Sequence, residues 1–124
     1  EVPERSPIMN IKIITLKVGE DAAIGEIDNS LKAMQKFVDG HIEVVYLDSR
    51  IAGAGVLIVC NEEGKINDLP LNRSYNYDIL VGDCFICGTK GDDFASLTDG
   101  QINRILSSGA EFLEPLTERK EASV

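Results

Sequence analysis

The sequence predicts a single α+β domain, with a four- to five-stranded antiparallel or mixed sheet and two main helices. Short β-branched runs separated by glycine-containing or acidic turns indicate the strands, and two amphipathic segments that begin with capping residues indicate the helices. At 124 residues with 44% hydrophobic content, the chain can build one core. The strand-strand-helix-strand-strand order of its first half makes a β-grasp-like arrangement the specific expectation.

The folded domain is expected to span residues 9–113. Residues 1–8 contain two prolines and no hydrophobic period, so we interpret them as an upstream extension or an expression remnant. Residues 114–124 are charged and small, which predicts a flexible tail.

The first half of the domain is predicted to form three strands and a helix. The predicted elements are a strand over 11–18, a short strand over 24–27, a helix over 30–38 and a strand over 41–48. The helix is expected because the Ser30 hydroxyl can accept a hydrogen bond from an unpaired amide of the first turn. Gly40 is expected to end it in the left-handed conformation.

The second half is predicted to alternate between strands and short helical segments. The predicted elements are a strand over 54–60, one or two helical turns over 75–81, a strand over 83–89, a short edge strand over 94–97 and a helix that follows Thr98. Residues 54–60 are continuously apolar, as expected of a central strand buried on both faces. Thr98 and Gln101 match a capping box. Pro70 argues against a regular central strand over 66–73.

The net charge and the cysteine content argue against some classes of function. The net charge of −9 and the pI near 4.5 oppose direct binding of nucleic acid. No apolar stretch approaches the roughly 18 residues of a membrane span. An odd number of cysteines and no secretory signal favour the cytoplasm.

Cys84 and Cys87 form a C-x-x-C pattern, which in other proteins binds zinc or performs redox chemistry. A strand places residues three apart on opposite faces of its sheet, so the two sulfurs cannot face one ion. The chain has no second such pattern and only one histidine. We therefore predict no metal site and no cofactor, and buried cysteines that act as small hydrophobic residues.

The candidate binding site is a cluster of polar residues that follow a buried strand, a glycine turn and a proline. Its members are Asn61, Glu62, Lys65, Asn72 and Arg73. Amide groups can pair with a base edge or a ribose, and guanidinium and ammonium groups can hold phosphate oxygens. The alternative interpretation is a hairpin turn with local hydrogen bonds and a surface ion pair. No catalytic residue is assigned.

Several segments resemble a known family. N-E-E-G-K at 61–65, L-P-L-N-R at 69–73 and F-I-C-G at 85–88 resemble a small family of domains of unknown function, encoded on plasmids, phages and other mobile elements of mainly Gram-positive bacteria. The resemblance covers about residues 10–108. It implies no activity or catalytic residue, but it implies a genomic context in which accessory proteins often counter host defences.

Three functional hypotheses follow. The leading one is a non-enzymatic phage or plasmid accessory protein that counters defence by binding or sequestering a small anionic, nucleotide-like ligand at the five residues. The alternative is an acidic inhibitor that mimics nucleic acid and docks on a host defence protein. A hydrolase with Glu62 or Glu63 as general base ranks last, because no orienting partner or nucleophile is identifiable. A homodimer or higher homo-oligomer is one way to cover the exposed sheet edges.

Overall fold

The computed structural model describes residues 9 to 116, which contain both strands and helices, as the α+β prediction states. The elements in chain order are β1 (Asn10–Leu16), β2 (Ala23–Asp28), α1 (Leu31–Val38), β3 (Ile42–Tyr46), α2 (Ser49–Ala52), β4 (Leu57–Asn61), β5 (Leu71–Tyr75), β6 (Asp78–Val81), β7 (Cys84–Lys90), β8 (Asp93–Ala95), α3 (Asp99–Leu106) and a 3₁₀ turn over Glu111–Leu113.

The main sheet has six strands rather than the four or five predicted. Its order is β2-β1-β7-β4-β3, β8 pairs with β7, and every pair is antiparallel. The strand-strand-helix-strand-strand order behind the β-grasp-like expectation is present from β1 to β4, with α2 inserted before β4. β7 comes later in the chain and fills the centre of the sheet between β1 and β4.

The sheet buries both of its faces. On β1, Ile13 packs in a cluster that includes residues of α1, whereas Ile14 packs in a second cluster with residues of α3. The same alternation continues on β7, where Phe85 faces the first cluster and Ile86 the second. All five residues of β4 are buried, which confirms the central strand predicted from its continuous apolar run.

Side chains cap both main helices as the sequence predicts. Ser30 Oγ accepts a hydrogen bond from the amide of Ala33 at 3.1 Å. In the capping box of α3, Thr98 Oγ1 accepts from the Gln101 amide at 3.0 Å, and Gln101 Oε1 accepts from the Thr98 amide at 2.8 Å. These bonds satisfy amides that the helix itself leaves without partners.

The C-terminal end of α1 differs from the prediction. The left-handed residue is Asp39, with φ of 63°, rather than Gly40. Gly40 is needed for space, because a Cβ atom there would lie 2.5 Å from the Asn61 side-chain nitrogen. The glycine was therefore a correct sign of the helix end but for a different physical reason.

The helical turns predicted over 75–81 are wrong, because these residues belong to a β-hairpin. β5 and β6 pair antiparallel around Asn76 and Tyr77, whose φ angles are 55° and 64°. Two left-handed residues are what a tight two-residue hairpin turn requires, and Asn-Gly is the usual sequence for it. Tyr77 replaces that glycine, so the sequence lacks the usual signal.

Both ends of the predicted domain adjoin segments that the structure does not describe. The predicted extension at 1–8 and residues 117–124 of the predicted tail lie outside the described residues. Residues 114–116 are described, and the amide of Leu116 donates a hydrogen bond to the backbone oxygen of Asn72 at 2.9 Å.

Two features bear on partners and membranes. β2 and β3 form the two ends of the main strand order, and each exposes a large apolar side chain: Ile24 is 57% exposed and Tyr46 is 72% exposed. The predicted homodimer or higher oligomer stays a prediction.

Between residues 9 and 116, none of the helices combines the length and apolar character that crossing a membrane requires.

The turn between β5 and β6 generates a stability prediction. Tyr77→Gly should raise the free energy of unfolding by about 0.5 to 1 kcal/mol, because the left-handed penalty of tyrosine exceeds the extra chain entropy of glycine. Urea unfolding measures the change. Asn76→Gly is the matched control and should change stability less, since asparagine tolerates this conformation. A destabilised Tyr77→Gly protein would contradict the prediction.

Candidate functional site

The five predicted site residues fall into two separate arrangements. Asn61, Glu62 and Lys65 line a recess of about 250 Å³ between the bend that follows β4 and strand β6. Asn72 and Arg73 do not line this recess, and both side chains are fully buried at 0% exposure. The structure therefore does not bring the five residues together around one accessible space.

Arg73 is a buried cation held by oxygen atoms of the protein itself. Its guanidinium donates to the backbone oxygen of Lys17 at 3.2 Å, to that of Glu20 at 2.6 Å and to Asn72 Oδ1 at 2.6 Å. None of the ion pairs found among residues 9–116 includes it, and its Nε has no hydrogen-bond partner within that range. Loss of water on burial lowers the pKa of Arg73 from its ordinary value.

Asn72 connects the hairpin to the main sheet beside this guanidinium. Its Nδ2 donates to the backbone oxygens of Leu16 and Gly82, both at 2.7 Å. Leu16 ends β1, so Asn72 and Arg73 together attach β5 to the end of β1 and to the loop that follows it. Both side chains have internal partners and hold elements together, which is a structural role.

Asn61 also has a structural role. Its Nδ2 donates to the backbone oxygens of Val38 and Asp39, both at 3.0 Å, and its Oδ1 accepts from the amide of Glu63 at 2.7 Å. The C-terminal carbonyl groups of a helix lack partners within the helix, and Asn61 supplies two donors to the end of α1. The same side chain fixes the bend that leaves β4.

The recess itself is acidic. The acidic residues that line it are Glu43, Glu62, Glu63 and Asp78. Lys65 is the one cation among its lining residues, and its Nζ lies 2.6 Å from Asp78 Oδ1 in an exposed ion pair. The hydrogen bond from Lys65 and the backbone amide of Ile79 lower the pKa of Asp78, so this carboxylate stays charged at neutral pH. A phosphate would meet more negative than positive charge here.

Two of the acidic lining residues were missed by the sequence interpretation. Glu43 lines the recess because β3 pairs with β4, which places Glu43 opposite Cys60. Asp78 lines the recess because the hairpin returns β6 to the bend, whereas the sequence predicts helical turns over these residues. The available signal is Asn76, a residue that tolerates the left-handed conformation of a hairpin turn.

The residues considered for a metal ion or for a general base have the following surroundings in the structure. Residues 9–116 contain no group of three or more His, Cys, Asp or Glu side chains placed to bind a metal ion. The Lys65 ammonium is engaged with Asp78 rather than with Glu62 or Glu63.

The cysteines are buried, and Cys84 and Cys87 lie on opposite faces of the sheet, as the strand geometry predicts. Cys84 belongs to the core cluster beside α3 and Cys87 to the cluster beside α1. Burial raises the pKa of both thiols to about 12 and that of Cys60 to about 11. Thiols with such pKa values are poor nucleophiles and poor metal ligands at neutral pH.

Cysteine burial generates a pH prediction. A thiol whose pKa rises from 9.0 to about 12 on folding stabilises the native state below pH 9, and this contribution is lost as the pH rises through the folded pKa. Native protein should therefore resist iodoacetamide at neutral pH, and its unfolding free energy should fall above about pH 9. The fall should be smaller in Cys87→Ala. Rapid alkylation of the native protein would contradict the burial.

The Arg73 contacts generate a second prediction. Arg73→Ala should lower the unfolding free energy by about 3 kcal/mol, because two part-buried hydrogen bonds to backbone oxygens are lost and a cavity forms in place of a fully buried side chain. Arg104→Ala removes an exposed guanidinium and should stay within about 0.5 kcal/mol of the parent. Arg73→Lys keeps the charge but not the forked donors, so it should fall between the two in urea unfolding. Equal effects of the two alanine substitutions would refute the structural role of Arg73.

Comparisons with known proteins give a family. Residues 11–109 match the profile of a domain of unknown function, DUF3846. No curated protein and no solved structure matches the chain. The matched range runs from β1 past the end of α3 and includes both the bend after β4 and the buried Asn72-Arg73 pair. The chain therefore belongs to the DUF3846 family of domains of unknown function.

Proposed function

We propose that this protein is a non-enzymatic binding protein that docks, through the acidic surface around the recess, on a basic protein partner. The observation that carries the proposal is the separation of charge at the predicted site. Arg73, the cation expected to hold a phosphate, is buried and bonded to backbone oxygens, while the recess is lined by four acidic residues.

The charge balance supports a basic partner over an anionic ligand. The chain carries a net charge of −9, and Lys65, the one cation of the recess, is engaged by Asp78. Complementary charge speeds encounter and excludes partners of the same sign. This negative potential attracts a basic protein surface and repels the phosphates of a nucleotide.

The leading sequence hypothesis, sequestration of a nucleotide-like anion, has less support for the same reason. Of its five residues, Asn61, Asn72 and Arg73 are buried, and each donates hydrogen bonds to backbone oxygens of the protein itself. Glu62 and Lys65 remain at the recess, and these two side chains carry opposite charges.

The resemblance to a family encoded on mobile elements would give the docking hypothesis a biological setting. A phage or plasmid accessory protein of this kind would act on a host defence protein whose basic surface normally binds nucleic acid. The acidic surface would then imitate a phosphate backbone, which is the counter-defence role proposed from the sequence.

The test uses a nona-arginine peptide as a basic probe and a panel of nucleotides as anionic ones. We expect the peptide to shift the amide NMR signals of residues around the recess, and its affinity to fall steeply between about 0.05 M and about 0.5 M salt. The nucleotides should neither bind nor be converted. Nucleotide binding without peptide binding would favour sequestration instead.

A matched pair of charge reversals separates a local site from net charge. Glu62→Lys with Glu63→Lys changes two exposed acids at the recess, and Asp92→Lys with Asp93→Lys changes two exposed acids at the turn into β8. The first pair should weaken peptide binding at least about ten-fold, and the second should weaken it much less. Equal losses would show that only overall charge matters.

A further inference from the structure

Tyr77 occupies a costly position from which the described part of the fold gains no packing. Its φ of 64° is left-handed, and a tyrosine there costs roughly 1 to 2 kcal/mol relative to an ordinary conformation. Its side chain is 104% exposed, as open to solvent as in an unfolded chain. An unfavourable backbone conformation at a residue whose side chain does not pack is typical of a functional position.

The ring stands beside a shallow depression whose lining combines apolar side chains with Asp48, Arg50 and Glu111. The depression encloses about 420 Å³, and its lining includes Tyr77, Ile51, Ala110 and Phe112. Phe112 is fully buried and packs edge-to-face with Tyr75, with ring centroids 5.8 Å apart. The Tyr75 hydroxyl in turn accepts from the Asp48 amide at 2.8 Å. These contacts make the base of the hairpin a rigid support for the exposed ring.

The charges next to the ring are mainly negative. Asp78 follows Tyr77 directly and is paired with Lys65 at 2.6 Å. Glu111 Oε2 accepts from the Asn76 amide at 3.1 Å, and none of the ion pairs found among residues 9–116 includes Glu111. The cation that lines the depression, Arg50, is bound by Asp48 at 2.7 Å. The hydrogen bond from Arg50 lowers the pKa of Asp48 to about 2, so that carboxylate stays ionised and offsets the guanidinium charge.

We infer that Tyr77 is the anchor by which the protein docks on its basic partner, with an arginine or lysine of that partner stacked on the exposed ring. This inference deepens the proposed function and rests on it. A cation on the face of a tyrosine is attracted by the ring electrons. Nearby carboxylates raise the local concentration of cations. Tyrosine also loses little side-chain entropy on binding, which makes it a common interface anchor.

The same charges argue against two other occupants. A nucleic-acid strand could stack a base on the ring, but its phosphates would meet Asp78, Glu111 and the −9 net charge. A second copy of the chain would bring the same acidic groups against each other, because a two-fold interface uses one surface twice. A basic protein surface is complementary to both the ring and the acids.

The nona-arginine peptide tests the anchor. Tyr77→Gly should weaken peptide binding about ten-fold while the melting temperature rises, because glycine removes the ring and relieves the turn. Tyr77→Phe keeps the aromatic face and should bind within about two-fold of the parent. Tyr46→Ala, which removes another exposed tyrosine ring, is the matched control and should bind like the parent.

Each remaining outcome overturns a specific statement. If the Glu62 and Glu63 reversals abolish binding but Tyr77→Gly does not, the proposed function stands and the anchor is wrong. If Tyr46→Ala loses as much affinity as Tyr77→Gly, or if Tyr77→Gly abolishes a dimer seen by sedimentation, Tyr77 is not the anchor for a basic partner. A parent protein that does not bind the peptide overturns both the proposed function and the anchor.

Discussion

The buried guanidinium of Arg73 is the constraint on which the arrangement of the second half depends. A charge removed from water needs several hydrogen-bond partners, and this one finds them in backbone oxygens of the loop between β1 and β2. The hairpin must therefore sit where β5 can reach that loop, and Asn72 adds one bond to the end of β1 at Leu16 and another to Gly82 after β6. Once the hairpin is placed, β6 closes the acidic recess and the turn carries Tyr77 outward.

The buried and the exposed polar residues of the predicted site have different roles. Asn61, Asn72 and Arg73 satisfy carbonyl groups at a helix end, a strand end and a loop. Glu62 and Lys65 lie in the same segments but at the recess. Neighbouring residues of these segments thus divide between stabilising the fold and lining the recess, which is why a cluster in sequence is not a cluster in space.

Local signals predicted much of the fold, because they act within a few residues. Ser30 and Thr98 cap their helices, β4 is buried throughout, and Cys84 and Cys87 point to opposite faces, all from short-range geometry. The hairpin over 71–81 was missed because its turn lacks glycine. The separation of Arg73 from the recess has a long-range cause: Arg73 bonds to Lys17, 56 residues away, and no local pattern in the sequence indicates that contact.

The position of β7 has a consequence for synthesis of the chain. β1 and β4 each need β7 as a neighbour, yet β7 leaves the ribosome after both of them. Until it does, two hairpins, β1-β2 and β3-β4, present apolar edges that have nothing to pair with. Pairings between distant segments form slowly and leave such edges open to aggregation. In a nascent chain, the edges of β1 and β4 would therefore stay unpaired until residues 84–90 had emerged.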